Sequence, residues 1–258
     1  MWKIFLLNPR IVSVLLFFFT TLNFYAQSHK SLPNLNQKFS IVIHIVQDSI
    51  NQNTYPDIFA QNRINQMNQI WQKIGVQFEI CEINRIINYN FLNWNPIKTW
   101  DNEPLSKHLK PKHINIFITN AVFSNENYYA TLNGIQMNDS IYNYCAISKY
   151  ENEEIWAKML GKYFGLYETN NISFGQELVN KSNCKTSGDL VCDTDADPNG
   201  TEIDCKYTSD LRDANNMLYQ PQIDNFMSNY QSICRNRFTH GQYERMIEQI
   251  YKINQLKF

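Results

Sequence analysis

Two lysines and a glutamate stand at a spacing that would bring their charged groups together. Lys158 and Lys162 are four residues apart, so a helix would place both on one face. Gly165 would end that helix and let the chain turn back toward Glu168. Ammonium groups donate hydrogen bonds and have no lone pair, so these lysines would repel a metal ion. We expect Glu168 to lie against both lysines in a partly solvated cluster, since buried ion pairs are costly; the alternative is that all three side chains point to water.

The helix that would carry the two lysines has a clear start. Asn152 is a good N-cap residue, and two glutamates follow it at the positive end of the helix dipole. The helix is expected to run to about Phe164 and to end at Gly165. From there to about Tyr219 the chain is rich in Asn, Asp, Gly and Ser, which predicts little regular structure.

The flanking segments predict strands and two further helices. Residues 40–46 form an apolar run that indicates a buried strand, and His44 within it is expected to be a strand residue rather than a ligand. Residues 76–83 and 114–119 also indicate strands, and residues 141–148 indicate a weaker one. Asp57 could cap a helix that Gly75 ends, with an apolar stripe at Ala60, Ile64, Met67, Trp71 and Ile74.

Two other segments complete the predicted order. Residues 88–111 are polar with scattered tryptophans, which predicts a loop insertion. Thr239 and Gln242 have the spacing of a capping box, so a last helix would begin there, with Met246, Ile250 and Ile253 on its inner side. Pattern alone therefore predicts an α+β fold.

Composition and charge narrow the classes of function. The 258 residues carry 23 Lys+Arg and 24 Asp+Glu. This near-neutral balance argues against nucleic acid or a membrane surface as the partner. The six cysteines contain no C-x-x-C pair, so disulfides are favoured over a zinc site made of cysteines. Reasoning from the residues alone leaves 15 pairings open.

The N-terminal segment predicts export. Lys3 and Arg10 precede a short apolar run, and Ala26 stands before Gln27 as a plausible cleavage point. Residues 1–26 are thus expected to be a signal peptide, with a membrane anchor as the alternative. The protein would then be secreted or periplasmic, with residues 27–258 as a single domain.

Several motifs resemble the pappalysin-type metzincin metalloproteases. The family's active-site helix has the pattern H-E-x-x-H-x-x-G-x-x-H. Over the same positions this chain keeps the turn glycine as Gly165 but has Lys158, Lys162 and Glu168 in place of the histidines and Met159 in place of the general base. Residues 188–198 resemble the family's G-D-x-x-C-D-T-P-A-D segment, residues 225–230 its Met-turn with Met227, and residues 234–246 its C-terminal motif.

The resemblance implies a fold, a site and cofactors. It implies a twisted mixed sheet with two helices in an upper subdomain, residues 27–165, and an irregular disulfide-rich lower subdomain, residues 166–258, that ends in a helix. Asn229 stands where the family has a tyrosine after the Met-turn, so no position needed for zinc or hydrolysis is intact. It further implies the pairs Cys184–Cys205 and Cys192–Cys234, with Cys81 and Cys145 paired or free, and calcium in a loop of oxygen-bearing side chains: Asp189, Asp193, Thr194, Asp195 and Asp197. The alternative for this loop is an acidic turn held by disulfides.

These observations predict a metalloprotease homologue that lacks zinc and does not cut peptides. Its former active-site cleft would bind a peptide or protein. Two alternatives remain: an active metalloendopeptidase with a rearranged zinc site, and a structural or surface-interaction protein whose cleft has no role. Among the remaining histidines, His108, His113 and His240 do not have the spacing of zinc ligands.

Overall fold

A computed structural model describes residues 31–48, 55–95, 107–124, 128–130, 135–137, 140–200 and 204–255. The predicted signal peptide, residues 1–26, lies outside the described residues, so it stays a prediction. Residues Leu32–Phe258 form one compact unit. Within the described ranges, no helix has the length and apolar character needed to cross a membrane.

Within the described residues the main sheet is mixed and has six strands. In sheet order these are β2 (Val76–Ile87), β1 (Gln37–Gln47), β4 (Ile114–Thr119), β8 (Ser140–Ser148) and β6 (Tyr128–Ala130), with β7 (Ile135–Met137) also paired to β8. The strands β1, β2, β4 and β8 run parallel, which confirms the four predicted strands. The short strands β6 and β7 are antiparallel to β8.

Helices cover one face of this sheet. Helix α1 (Asp57–Trp71) continues into one turn of 3₁₀-helix and ends at Gly75, whose φ of 68° is the left-handed conformation expected of a C-terminal glycine. Its predicted stripe is buried, although Asp57 is not the cap, because the helix begins after Pro56. Helix α3 (Glu153–Tyr163) begins at Asn152, whose side chain accepts from the N–H of Ile155 as predicted.

The prediction of a loop insertion at residues 88–111 is wrong for its first part. The segment contains helix α2 (Tyr89–Leu92) and strand β3 (Asn93–Trp94), which pairs with β5 (Ala121–Val122). Its apolar residues Phe91, Leu92, Trp94 and Leu109 are buried in a second core on the opposite face of the sheet. His44 lies in β1 against that core, stacked on Phe117 at 4.4 Å. The segment looked like a loop because its apolar residues are few and separated by polar ones, but they cover a sheet face that would otherwise be exposed.

After helix α3 the described chain is irregular, apart from one turn of 3₁₀-helix (Ser232–Cys234), until its last helix. Among residues 166–200 and 204–231 the structure has turns and isolated bridges only, as predicted. Helix α4 (His240–Gln255) follows the predicted capping box: the N–H of Thr239 donates to Oε1 of Gln242, and the N–H of Gln242 donates to Oγ1 of Thr239. Its residues Met246 and Ile250 are buried in the main core beside α1 and α3.

The disulfide pairing differs from the one that the resemblance implied. The bonds are Cys184–Cys192 and Cys205–Cys234, not Cys184–Cys205 and Cys192–Cys234. Cys184 and Cys192 are eight residues apart, and the turns between them bring their Cα atoms to 5.0 Å, within the range of a disulfide. Cys81 and Cys145 are both free; Cys145 is buried in the main core, and Cys81 is exposed on β2.

Candidate functional site

Helix α3 fixes the two lysines through its contacts with the loop beneath it. Met227 is fully buried there, and a Cβ on Gly161 would lie 2.8 Å from its Sδ atom. The helix can approach the Met227 turn this closely because residue 161 has no side chain. Lys158 lies one turn before this contact, so its side chain extends toward residues 228 and 229.

Gly165 brings the chain back toward the helix. Its φ is 87°, which few residues other than glycine adopt, and the N–H of Leu166 donates to the carbonyl of Gly161 at 3.0 Å. Arg245 of α4 donates from Nε to the Gly165 carbonyl at 2.7 Å. The turn at Gly165 is therefore fixed by hydrogen bonds to both α3 and α4. It places Glu168 next to the two lysines, as the sequence predicts.

Lys158 is the most deeply placed charged group of the site. Its side chain is 0% exposed. Its ammonium donates to the carbonyl oxygen of Ser228 at 2.8 Å and to Oδ1 of Asn229, and it lies 4.0 Å from Oε1 of Glu168. A buried ammonium needs such acceptors, because an unpaired charge in the interior is very unfavourable. The expectation of a partly solvated cluster is wrong for this residue.

Glu168 joins the two lysines. Its Oε1 lies 3.4 Å from Nζ of Lys162 and accepts from the Tyr128 hydroxyl at 3.4 Å. The side chain of Lys162 is 35% exposed and that of Glu168 is 30% exposed. These two residues therefore have the partial solvation that the sequence predicts. The Lys162 ammonium also lies 5.7 Å from the centre of the Tyr128 ring. The expected contact of Glu168 with both lysines is confirmed.

Asn229 extends the cluster toward the neighbouring loop. Its Nδ2 donates to Oε2 of Glu168 at 3.4 Å, to Oδ1 of Asn170 at 3.1 Å and to Oδ1 of Asn199 at 3.5 Å. Asn170 in turn donates from Nδ2 to Oδ1 of Asn199 at 2.5 Å. We call this set the lysine network: Tyr128, Lys158, Lys162, Glu168, Asn170, Asn199 and Asn229.

The two acids in and below the network have pKa values shifted in opposite directions. Burial alone would raise the pKa of Glu168, but the charges of Lys158 and Lys162 outweigh it and hold this pKa below its ordinary value. Asp197 lies below and accepts from the hydroxyls of Thr169 and Tyr230 at 2.6 and 3.1 Å. Burial raises the pKa of Asp197, and these hydrogen bonds and Lys158 oppose that effect.

The residues of the network do not fit a catalytic zinc ion. Zinc in proteases takes three neutral or anionic ligands and keeps an open position for water. In the alignment that the resemblance implies, the first ligand position is that of Lys158, a buried ammonium that donates to oxygen atoms, and the general-base position is that of Met159, which is buried in the main core. In the described part of the chain, no three His, Cys, Asp or Glu side chains are grouped so as to hold a metal. No hydrolytic step through a metal can be derived from these residues.

The five residues of the predicted calcium loop serve different partners. Asp193 accepts from the Thr239 hydroxyl and from the N–H of Gly241 at the start of α4, and Asp195 pairs with Lys181 at 2.8 Å. Asp189 is buried and accepts on Oδ1 from the N–H of Val191 and the hydroxyl of Thr194. The loop is thus largely used for internal hydrogen bonds, as in the acidic-turn alternative.

Glu177 is a residue of this region that the sequence analysis missed. Both its carboxylate oxygens, and Oδ2 of Asp189, are buried without a hydrogen-bond partner among the described residues. Burial raises the pKa of Glu177 to about 8, with Asp189 adding to the shift, and burial raises the pKa of Asp189 to about 7. A Cβ on Gly188 would lie 2.4 Å from Oε2 of Glu177, so this glycine makes room for the carboxylate. No signal in the sequence connects residues 177 and 189.

Comparison with solved structures defines the class of fold. The chain is similar to mirolysin, solved in complex with compound 9, with a TM-score of 0.56 and 16% sequence identity over 84% of this chain and 91% of that chain. It is also similar to metalloproteinase-II from Bacteroides fragilis, with a TM-score of 0.42 and 9% identity over 85% of this chain, which spans about half (55%) of that one. The protein has a metzincin-like metalloproteinase fold, as expected from the resemblance. No family model and no curated protein sequence matches the chain.

Proposed function

We propose that the protein is a pappalysin-like pseudoprotease, which binds a peptide or protein where an active relative would hold its substrate and does not cut it. The observation that carries this proposal is the buried ammonium of Lys158, held by the carbonyl of Ser228 and the side chain of Asn229. It stands at the position of the first zinc ligand in the motif. A positive charge supplied by the protein itself leaves neither room nor lone pairs for a metal.

The lysine network supports a protein that keeps the metalloproteinase fold and does not use zinc for peptide hydrolysis. A zinc ion in such a fold would hold the helix and the following turn together through its ligands. Lys158 makes the corresponding links here, from α3 to residues 228 and 229 and to Glu168. This supports a scaffold that is stable without zinc.

Zinc content and peptidase activity test the proposal. We expect purified protein dialysed against trace zinc to keep no more than about 0.1 zinc per chain. The control variant restores the motif with Lys158→His, Met159→Glu, Lys162→His and Glu168→His, and should gain zinc if the alignment is right. Near one zinc per wild-type chain, together with cleavage of a peptide library that a chelator abolishes, would instead establish an active metalloendopeptidase.

We also propose a calcium ion at Glu177 and Asp189. Three buried carboxylate oxygens without partners support it, because calcium prefers oxygen ligands and would stabilise the charged forms of both acids. A rise in melting temperature with calcium that Glu177→Gln abolishes is the expected result. Equal melting temperatures with calcium and with a chelator would contradict this site and would leave the proposed peptide binding untouched.

Export is part of the same proposal. Two disulfides favour an oxidising compartment, such as the periplasm or the outside of the cell. N-terminal sequencing of the protein recovered from culture medium or periplasm tests this directly. A first residue near Gln27 is expected, whereas an intact N-terminus in the cytoplasmic fraction would contradict it.

A further inference from the structure

The buried ammonium of Lys158 fixes which atoms of the lysine network donate hydrogen bonds and which accept them. An ammonium can only donate hydrogen bonds, so the atom of Asn229 that faces Lys158 must be Oδ1. Nδ2 of Asn229 must then face the other way. It meets three oxygen atoms there, on Glu168, Asn170 and Asn199. Each amide in this chain of contacts therefore has only one orientation that satisfies its neighbours.

This orientation of the three asparagine amides leaves N–H donors on the solvent-exposed side of the lysine network. Oδ1 of Asn199 accepts from both Asn170 and Asn229, so the remaining atom of this exposed side chain is the donor Nδ2. Lys162 contacts Glu168 and the face of the Tyr128 ring, so it keeps N–H groups for a ligand. Lys162, which is 35% exposed, and the exposed Asn199 thus both present N–H donors at this end of the network.

The Glu168 carboxylate is already contacted by several donors of the network. Glu168 receives hydrogen bonds from Tyr128, Lys162 and Asn229, with Lys158 at 4.0 Å as a further positive charge. A cationic ligand group would be repelled by the Lys162 ammonium, because the network holds two ammonium groups against one carboxylate. A carboxylate would meet donors and the one partly exposed cation of the network, which is the favourable combination.

We infer that the site selects ligands by a carboxylate, either an acidic side chain or the C-terminus of a peptide, and that Lys162 is the residue that determines this specificity. This inference rests on the proposed peptide-binding function. Asn199 supplies a second, neutral donor. Lys158 does not contact the ligand; it is a positioning residue, because its charge orients Asn229 and, through Asn229, the amides of Asn170 and Asn199.

Fluorescence anisotropy with three matched pools of labelled, C-terminally amidated octapeptides tests the inference. The pools differ only at one central position, which is Glu, Gln or Lys. We expect the Glu pool to bind with a Kd about tenfold below that of the Gln pool, and the Lys pool to bind most weakly. A fourth pool, the Gln peptides with a free C-terminal carboxylate, shows whether the end group is the preferred source of the carboxylate.

Variants separate the role of Lys162 from a general effect of charge. Lys162→Gln should remove the preference for carboxylate peptides while the Gln pool still binds, and Lys162→Arg should keep the preference. Lys252→Gln, at an exposed lysine in the last turn of α4, is the matched control and should change nothing. Melting temperatures of all three variants confirm that they fold.

The outcomes are distinguishable. Equal binding of the Glu, Gln and free-carboxylate pools, or an unchanged preference in Lys162→Gln, would overturn the inference and leave the proposed peptide binding in place. Failure of every pool to bind would overturn both.

Discussion

The ammonium nitrogen of Lys158 lies 2.8 Å from the carbonyl oxygen of Ser228, a residue seventy positions later in the chain. This contact joins the middle of helix α3 to the turn that contains Met227. In a zinc protease of this fold the same helix would present a histidine to the metal. Under the proposed function, this contact would hold the helix to the loop below it without a metal.

Replacement of Lys158 should be far more costly than replacement of Lys162. Lys158→Met keeps most of the side-chain volume but leaves the Ser228 carbonyl and Asn229 without their donor, so we expect a loss of about 3 kcal/mol in the free energy of unfolding. Lys162→Met removes a partly exposed pair and should cost less than about 1 kcal/mol. Urea denaturation at pH 7 measures both. Equal losses in the two variants would mean that Lys158 is not the structural cation.

Glu168→Ala should lower the free energy of unfolding by more than about 1 kcal/mol, because buried Lys158 loses the carboxylate that lies 4.0 Å from its ammonium. The matched control is Glu244→Ala on α4, whose exposed pair with His240 should contribute less than about 0.5 kcal/mol. No difference between the two variants in urea denaturation would count against the network.

The contribution of Glu168 should also depend on pH. Its folded pKa lies below the ordinary value of 4.5, so the stabilisation is present above that pH and is lost as the pH falls through the folded pKa. Wild type and Glu168→Ala should therefore become closer in stability in acid. A gap that stays constant down to the acid transition would contradict an ionised Glu168 in the network.

His44 should make the protein sensitive to mild acid. It is 1% exposed, and burial lowers its pKa to about 4 from 6.5. Between those two values the unfolded chain binds a proton and the folded chain does not, so stability falls as the pH drops, by up to about 3 kcal/mol. His44→Gln should flatten this part of the pH profile, whereas His113→Gln, in a loop, should not. The free energy of unfolding at pH 7, 5.5 and 4.5 decides the matter.

The two disulfides should differ in their effect on stability. Loop closure in the unfolded chain predicts about 2.5 kcal/mol for the bond that spans 8 residues, Cys184–Cys192, and about 3.6 kcal/mol for the bond that spans 29, Cys205–Cys234. Double Cys→Ser variants at each pair, compared by denaturation, test the order. Peptide mapping without reduction tests the pairing itself, and a peptide that links residues 184 and 205 would support instead the pairing implied by the resemblance.

Much of the fold could be predicted because its signals are local. The strand at residues 40–46 and the helix after Asn152 follow from apolar periodicity and capping, and the structure has both. The prediction of a loop over residues 88–111 failed at residues 89–94 for the opposite reason, and residues 96–106 lie outside the described part of the chain. Trp94 is completely buried, but what buries it is Phe117 and Tyr144 of distant strands, and no pattern within the segment indicates that.

In the candidate site, too, the contacts between residues close in sequence could be predicted, and those between distant segments could not. The sequence by itself determined the turn at Gly165, the approach of Glu168 to the lysines, and the cap formed by Thr239 and Gln242, because the atoms involved are at most ten residues apart. These contacts follow from helix geometry and from the hydrogen-bonding groups of each residue.

The tertiary structure alone decided the burial of Lys158, the orientation of Asn229, the unpartnered carboxylates of Glu177 and Asp189, and the pairing of the cysteines. The first two depend on the packing of α3 against a turn seventy residues away, and the others on how an irregular segment is folded on itself. Which acceptor meets a buried donor is set by distances between segments remote in sequence, and composition or spacing carries no record of them.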